Sequence, residues 1–257
     1  MNMPSIQHRD SVILRFAYRR LLKFSLGLPA VILAAFACLS NPVEGAILYE
    51  DNFDGADGPI DGWTVDSGAW NISGNRLVIG PTGAEQDVIA GNPPFALGSN
   101  YVISVDWEFL SNGSNGSIGR HAGINFGFNE VGNRFAGTTN GYEVFWIDRA
   151  SDFGLSLFRF DGGTFQQHNL GTGALFAQPP SNITIEVDDT NIRVWGDGVL
   201  AIDVADSTYR GPIAGLWTWT GDQEVAFDNY TISDIPEPSS LMLLSLGGLV
   251  ALRRRRR

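Results

Sequence analysis

Residues 182–204 read NITIEVDDTNIRVWGDGVLAIDV and contain the clearest fold signal in the chain. From Ile183 to Val187 apolar and polar side chains alternate, which is the pattern of a strand with one buried face. A polar turn and then the pair Asp197-Gly198 separate this stretch from two similar ones, and Asp-Gly is typical of a tight hairpin. The segment therefore predicts three consecutive antiparallel strands.

The same texture continues in both directions, as short stretches of β-branched and aromatic residues separated by Gly, Asn and Asp. Between the chain ends no stretch has an amphipathic helical period, and Ser111–Ser117 has the composition of a flexible loop. This pattern predicts an all-β fold, a two-sheet antiparallel jelly-roll sandwich. The predicted strands are Ala46–Phe53, Trp63–Asp66, Trp70–Ser73, Arg76–Gly80, Asp87–Ala90, Tyr101–Leu110, His121–Asn129, Gly141–Asp148, Leu155–Asp161, Thr164–Leu170, Ser181–Asp188, Asn191–Gly196, Val199–Val204, Gly211–Thr220 and Val225–Ser233.

The N-terminus predicts export. Five basic residues precede an apolar run, Phe24–Leu39, and small or tolerated residues follow at Val43–Gly45. We interpret residues 1–45 as a signal helix that is cleaved. An uncleaved membrane helix is the alternative, which Pro29 disfavours, and Cys38 lacks the preceding Leu or Val of a lipoprotein signal.

The C-terminus, residues 236–257, has three parts. Two prolines flank a glutamate and interrupt regular structure, a 12-residue apolar stretch is too short to span a bilayer comfortably, and an arginine block resists entry into hydrocarbon. The motif residues are Pro236, Glu237, Pro238, Arg253, Arg254, Arg255, Arg256 and Arg257.

This order resembles the PEP-CTERM sorting signal of exosortase systems. The resemblance implies Sec-type export, recognition by a membrane-embedded exosortase and transient membrane association through a short apolar tail helix. It also implies removal of the tail and delivery to the cell surface or extracellular matrix. An ordinary tail anchor is the alternative, but it would leave the proline motif without a role.

The central region, residues 46–235, has no cysteine and is strongly acidic. It contains seven arginines, no lysine and 25 acidic residues, a formal net charge of −18. Such a field repels nucleic acid and anionic membranes and favours divalent cations. Acidity is also a solvation device for salty habitats, and the sequence does not separate the two explanations.

Several segments of this region resemble concanavalin A-like or LamG-like jelly rolls. The resemblance implies a glycan-handling superfamily without fixing an activity. The segments that carry it are Leu48–Gly55, Ile183–Asp188, Ile192–Trp195, Gly211–Leu216 and Val225–Ile232.

Catalysis is not expected. Laminarinase-type relatives of that superfamily use a Glu-x-Asp-x-x-Glu strand, and the nearest match here begins at Glu186 and ends at Asn191, whose amide cannot donate a catalytic proton. A lyase centre built from Arg120, His121 and Tyr142 is conceivable, but no spacing asks for it.

The resemblance also implies one structural calcium ion between the first and last strands. The matching oxygen ligands are Asp51, Asn52 and Asp228. The alternative is that these residues only form turns and strand ends, and the sequence leaves both readings open.

Glycan binding requires exposed aromatic faces beside polar side chains. Trp217 and Trp219 share one face of a predicted strand, and Tyr142 and Trp146 share a face of another, with Asp148 beyond them. The alternative for each ring is the core. The sequence thus favours an exported, non-catalytic module that binds extracellular polysaccharide. The alternatives are a glycoside hydrolase or polysaccharide lyase and a purely structural surface protein.

Overall fold

The computed structural model describes most of the chain between its two ends, within a unit that spans Gly45–Ser240. The other unit, Met1–Glu44 with Leu241–Arg257, lies outside the described residues, as do the predicted terminal helices. The described ranges are 45–80, 85–90, 97–111, 120–130, 138–149, 152–162, 164–168, 176–219 and 223–235, with only the backbone for 85–90, 149, 152–153, 164–168 and 219. Within them, no helix has the length and apolarity that crossing a membrane requires.

The described residues form sixteen strands in two sheets, in which every pair of neighbours is antiparallel. In chain order these are β1 (Ile47–Asp51), β2 (Gly58–Pro59), β3 (Trp63–Val65), β4 (Trp70–Ile72), β5 (Leu77–Ile79), β6 (Glu85–Ala90), β7 (Tyr101–Phe109), β8 (His121–Phe128), β9 (Gly141–Arg149), β10 (Asp152–Asp161), β11 (Thr164–His168), β12 (Asn182–Val187), β13 (Asn191–Gly196), β14 (Val199–Ala205), β15 (Ile213–Trp219) and β16 (Val225–Ser233).

Sheet A has the order β14-β13-β12-β7-β16-β5-β4-β2, and β1 also pairs with β16. Sheet B has the order β11-β10-β9-β8-β15-β6-β3. The predicted two-sheet antiparallel jelly roll is therefore confirmed. All fifteen predicted strands are present, with ends that differ by up to three residues, and the strand that prediction missed, β2, has two residues.

The predicted hairpins follow from backbone conformation. Asp197 and Gly198 both have positive φ, 48° and 75°, and join β13 to β14. Two consecutive residues with positive φ give a turn whose twist matches that of the flanking strands. Gly74 and Asn75 do the same between β4 and β5, with φ of 59° and 60°. Ser111 begins the predicted flexible loop, most of which lies outside the described residues.

The main core lies between the two sheets and is built from alternate residues of each strand. In β7, Ile103, Val105 and Trp107 are buried, whereas Ser104 and Asp106 between them are only partly buried. β12 and β13 repeat this alternation. Burial of one face explains the alternation in the sequence, because successive side chains of a strand point to opposite faces.

Sheet B is buried on both faces, which distinguishes it from sheet A. All eight residues of β8 are buried. Ile124 and Phe126 belong to the inter-sheet core, whereas Phe145 and Trp217 belong to a separate apolar cluster on the other face. The outer face of sheet A is thus the more open of the two outer faces among the described residues.

A polar network ties the connection between β14 and β15 to sheet B. Arg159 in β10 donates to Asp161 and to Asp206, with the Nη1 to Oδ2 distance to Asp206 at 2.7 Å. Tyr142 Oη donates to Asp206 Oδ1 at 2.6 Å, and Tyr209 Oη donates to Asp161 Oδ1 at 2.6 Å. We call these five residues the crossover network, because they join a loop leaving sheet A to two strands of sheet B.

The network sets the protonation behaviour of its members. Burial raises the pKa of Asp206, but hydrogen bonds from Tyr142, Thr208 and Arg159 lower it by more. The pKa therefore lies well below its usual range. Burial and the hydrogen bond to Asp206 raise the pKa of Tyr142 to about 12. At neutral pH the network therefore pairs an ionised carboxylate with a neutral phenol.

The two ends of the described domain lie side by side. Asp234 N donates to Ala46 O at 3.0 Å, directly beyond the pairing of β1 with β16. A Cβ on Gly45 would lie 1.7 Å from Asp234 O, so only glycine fits where the two segments meet. The first and last strands are thus neighbours in sheet A.

Candidate functional site

Two of the predicted glycan-binding aromatics face the inter-sheet core. Tyr142 is 1 % exposed and Trp146 is fully buried, and both belong to the main core cluster. Tyr142 stacks on Phe126, with ring centroids 5.4 Å apart. Neither ring offers a face to solvent, which is the core alternative that the sequence left open.

Trp217 lies on the opposite, outer face of sheet B. Its ring centroid is 4.8 Å from that of His121 and 5.5 Å from that of Phe145, which in turn stacks on Phe158 at 4.6 Å. Trp217 is 3 % exposed, so this face is closed in the structure. The side chain of Trp219 lies outside the described residues.

The closed face also contains polar side chains. Asn125 and Glu143 are opposite each other in β8 and β9, and both are buried. Gly123 lies opposite Phe145, and a Cβ there would come within 2.6 Å of Phe145 Cβ. Aromatic rings beside an amide and a carboxylate can bind a saccharide, but these side chains are buried and would first have to become exposed to solvent.

Asp148 accepts a hydrogen bond from Arg120 Nε at 2.8 Å and forms an ion pair with the same guanidinium. It therefore positions Arg120 and does not extend the faces of Tyr142 or Trp146. The conceivable lyase set is also divided, since Arg120 is held by Asp148, His121 packs on the outer face of sheet B and Tyr142 faces the core.

Asp51, the first of the three predicted calcium ligands, is engaged within the protein. Asp51 accepts hydrogen bonds from Phe53 N at 2.8 Å and from Trp63 Nε1 at 2.7 Å, so both of its carboxylate oxygens have partners. Asp228 lies opposite Asp106 across the β16–β7 pair, and Asn52 is exposed. Among the described residues, no three acidic, histidine or cysteine side chains are arranged to hold a metal ion. The calcium ion stays a prediction of the sequence.

Replacement of Asp228 by asparagine is expected to stabilise the protein at neutral pH. Burial and the neighbouring Asp106 raise the pKa of Asp228, so the ionised form opposes folding above its unfolded-state pKa. Asn keeps the oxygen that accepts from Asn229 N and removes a like-charge contact, for a gain of about 0.2–1 kcal/mol in the free energy of unfolding. Urea unfolding with calcium and with EDTA measures it. If Asp228→Asn lowered the free energy of unfolding only when calcium is present, Asp228 would be a calcium ligand.

The outer face of sheet A is open and polar, with one tryptophan. Trp195 is opposite Thr184, Thr184 is opposite Ser104 and Ser104 is opposite Thr231, across β13, β12, β7 and β16. We call these four residues the Trp195 row. All four are partly exposed. At about 4.8 Å per strand the row is ~14 Å long, and it presents three hydroxyl groups beside one indole.

The hydroxyl groups of Thr184 and Ser104 form a hydrogen-bonded lattice with neighbouring side chains. Thr184 Oγ1 donates to Asn182 Oδ1 at 3.1 Å and lies 3.3 Å from Ser104 Oγ. Asn182 Nδ2 donates to Ser104 Oγ at 3.1 Å and to Asp106 Oδ1 at 2.7 Å. Asn229 Nδ2 donates to the other Asp106 oxygen at 2.8 Å. These bonds fix the orientation of the polar groups before a ligand arrives.

The pairing of β13 with β14 is irregular at the tryptophan. The register shifts between Val194 and Trp195, so that Trp195 faces Leu200, and Leu200 is 45 % exposed. Such an irregularity re-aims the side chain at the bulge. An indole and an exposed leucine thus lie together near the edge of this face.

Sequence reasoning missed Trp195 as a site residue although the signal was present. Ile192 and Val194 point to the core, so the period of two places Trp195 with Arg193 on the polar face. A large aromatic in a polar position of an alternating strand is the signal that could have identified it.

In the near match to a catalytic strand, the acids at the first two motif positions are both ion-paired. Glu186 and Asp188 both form ion pairs with Arg193. Hydrogen bonds from Thr190 and Asn191 and the Arg193 charge outweigh burial and hold the pKa of Asp188 below its usual range. An acid that stays ionised does not serve as a proton donor.

Comparisons with known proteins give a sorting motif and a fold. Residues 234–257 match the model of the PEP-CTERM protein-sorting motif, so the predicted C-terminal signal is present. No curated protein matches the chain.

Three solved structures illustrate the likeness in fold. The carbohydrate binding module CBM66 from Bacillus subtilis is 20 % identical, with a TM-score of 0.52 over 67 % of this chain and 96 % of that one. A Bacillus subtilis protein of unknown function with a galectin-like fold is 13 % identical, with a TM-score of 0.54 over 74 % and 97 %. The VIP36 exoplasmic/lumenal domain in its Ca2+/Man-bound form is 12 % identical, with a TM-score of 0.55 over 70 % and 86 %.

Proposed function

We propose that this chain is exported, sorted to the cell surface by exosortase and there binds extracellular polysaccharide through the outer face of sheet A. In this proposal residues 1–45 are a signal peptide, 46–235 the binding domain and 236–257 a removable sorting tail. The PEP-CTERM motif supports the sorting step. The jelly-roll fold, shared with a carbohydrate binding module and with the VIP36 exoplasmic/lumenal domain in its Ca2+/Man-bound form, supports the binding step.

One observation carries the choice of surface: a partly exposed tryptophan stands at the end of a row of hydroxyls on an open sheet face. The C–H faces of a sugar ring stack on indole, and its hydroxyls exchange hydrogen bonds with Ser, Thr and Asn side chains. In the Trp195 row both kinds of contact are available in a straight line about 14 Å long. That length suits a segment of a chain polymer and exceeds what one sugar unit covers.

Rigid positioning favours this surface as well. The lattice through Asn182 and Asp106 holds the hydroxyls of Thr184 and Ser104 in place. Binding then costs little additional side-chain entropy, which otherwise weakens polar interfaces. The row lies on strands and not on loops, which further limits its motion.

Replacing Trp195 by alanine tests the proposal. We expect the dissociation constant for the bound polysaccharide to rise about tenfold or more, because a stacking tryptophan is a typical centre of binding energy. Trp195→Phe keeps a ring and is expected to lose less. Affinity electrophoresis of the full-length chain against a polysaccharide panel measures both, with the melting temperature as the check on folding.

The matched control is Leu200→Ala, which changes the exposed neighbour of Trp195 and leaves the ring in place. If the wild type binds and Trp195→Ala binds equally well, the surface is wrong. If no polysaccharide retards the wild type, the binding function itself is wrong and the purely structural alternative gains.

The proposal is non-catalytic. On the outer face of sheet A the carboxylates nearest the row are engaged, Glu186 with Arg193 and Asp106 with Asn182 and Asn229. A glycosidase requires one carboxyl that is protonated at working pH beside one that is ionised. Incubation of the panel with the protein and detection of new reducing ends or unsaturated products tests the hydrolase and lyase alternatives.

The outer face of sheet B around Trp217 is the second candidate surface. It combines Trp217 and Phe145 with Asn125 and Glu143, but all four are buried. The effects of Trp195→Phe and Glu143→Gln separate the two surfaces, because each variant alters only one of them. Loss of binding in Glu143→Gln alone would move the site to sheet B.

A further inference from the structure

The arginines of the domain whose side chains the structure describes are already engaged within the protein. The region 46–235 contains no lysine, and four of the arginines with described side chains form ion pairs with acidic residues. The fifth, Arg210, donates to the backbone carbonyls of Tyr209, Asp188 and Asp206. The four ion-paired arginines are Arg76, Arg120, Arg159 and Arg193.

Among the arginines with described side chains, Arg193 lies nearest the Trp195 row along the sheet and has the most acidic partners. It lies on the outer face two residues before Trp195 and contacts Glu186, Asp188 and Asp203. Three carboxylates around one guanidinium give this part of the face a net negative charge. An anionic sugar placed there would be repelled by these carboxylates, because the guanidinium of Arg193 is already paired with them.

The other end of the face is acidic as well. Asp106 and Asp228 lie opposite each other beside the hydroxyl lattice, and burial together with Asp106 raises the pKa of Asp228. Glu108, on the same strand as Asp106, holds Arg76. Within the described part of this face, carboxylates therefore outnumber arginines on both sides of the Trp195 row.

We infer that the polysaccharide bound at the Trp195 row is neutral, and that the acids around Arg193 act as a filter against uronate or sulfate groups. This inference rests on the proposed function. A neutral sugar needs only the ring contact and the hydroxyl exchange that the row offers. An anionic polymer must approach a domain of net charge −18, without a described cation free to receive it.

Affinity electrophoresis of the full-length chain tests the ligand class. The gels contain a neutral polymer, namely dextran, laminarin or galactomannan, or an acidic one, namely alginate or polygalacturonate. We expect retardation by at least one neutral polymer and none by the acidic ones. Retardation by the neutral polymer is expected to persist when added salt shortens the screening length below about 10 Å.

A gain-of-binding variant tests the filter itself. Glu186→Gln with Asp203→Asn leaves Arg193 with Asp188 alone, and we expect alginate, which does not retard the wild type, to retard this variant in a salt-sensitive manner. The affinity for the neutral polymer should not change. The control pair Asp66→Asn with Glu130→Gln removes the same number of charges, and neither carboxylate belongs to the ion pairs above.

Each result has a distinct meaning. Retardation of the wild type by an acidic polymer as strong as that by any neutral one overturns the ligand class but leaves glycan binding standing. Equal gains in the filter variant and the control pair would reduce the effect to overall charge and remove the role of the acids around Arg193. Retardation by no polymer of either kind overturns the proposed function.

Discussion

Replacement of Arg159 by alanine is expected to lower the free energy of unfolding at pH 7 by about 1–3 kcal/mol, between the costs for an exposed and for a fully buried ion pair. The carboxylate of Asp206 is 8 % exposed and would lose its cation, whereas Arg159 itself is 23 % exposed. Asp161 would lose the same partner. Urea unfolding followed by tryptophan fluorescence measures the change.

The same substitution should change the response to acid. Because the folded-state pKa of Asp206 lies below its unfolded value, its contribution is complete above about pH 5. That contribution disappears as the pH falls through the folded-state pKa. The difference in the free energy of unfolding between wild type and Arg159→Ala is therefore expected to fall to about half or less as the pH is lowered from 5 to 2.

Arg76→Ala is the matched control, because it removes an equivalent ion pair at an exposed site. Arg76 and Glu108 have side chains that are 35 % and 62 % exposed, and such pairs contribute about 0–1 kcal/mol. If Arg159→Ala and Arg76→Ala lowered the free energy of unfolding equally, the crossover network would stabilise the fold no more than an exposed ion pair does.

Replacement of Trp146 by alanine is expected to cost about 3–5 kcal/mol, the usual range for removing a large aromatic side chain from a core. Trp146 is fully buried among residues of both sheets. Thermal unfolding monitored by circular dichroism measures the loss. Trp146→Phe is expected to cost less, because a ring still occupies part of the space.

The contrast with Trp195 makes this experiment informative about function. Trp146→Ala should lower stability and leave the affinity of the folded fraction for polysaccharide unchanged. Trp195→Ala should lower affinity and cost only about 1 kcal/mol of stability, since it is partly exposed. Loss of affinity in folded Trp146→Phe would return Trp146 to the binding surface.

The strands could be predicted from sequence because burial on one face leaves a period of two in the chain. That signal is clear in β7, β12 and β13, where buried and partly buried residues alternate. It is absent in β2, whose two residues are too few to alternate. It is also weak in β8, which is buried on both faces.

The faces of the aromatic residues were harder to predict. Alternation shows that Tyr142 and Trp146 share a face, and that Trp217 and Trp219 share one, but not which face meets the other sheet. Sheet B has large buried apolar residues on both faces, so composition does not indicate which face meets the other sheet. The sequence therefore grouped residues from opposite faces into one candidate site.

The crossover network was beyond sequence reasoning for a different reason. Arg159 and Asp206 are 47 residues apart, and Tyr142 and Asp206 are 64 apart. No local motif connects them, and only the passage of the chain from β14 to β15 brings them together. The same limit applies to the calcium hypothesis, which located Asp51 and Asp228 near each other along paired strands but could not give their side-chain directions.

The position of β16 has a consequence for how the protein is made. This last strand of the domain lies inside sheet A, where it pairs with β7 on one side and with β5 and β1 on the other. A chain that is still emerging lacks the strand on which three others assemble, and such distant pairings form slowly. The domain therefore completes sheet A only when β16 has been delivered, so its folding ends with the last strand that the structure describes.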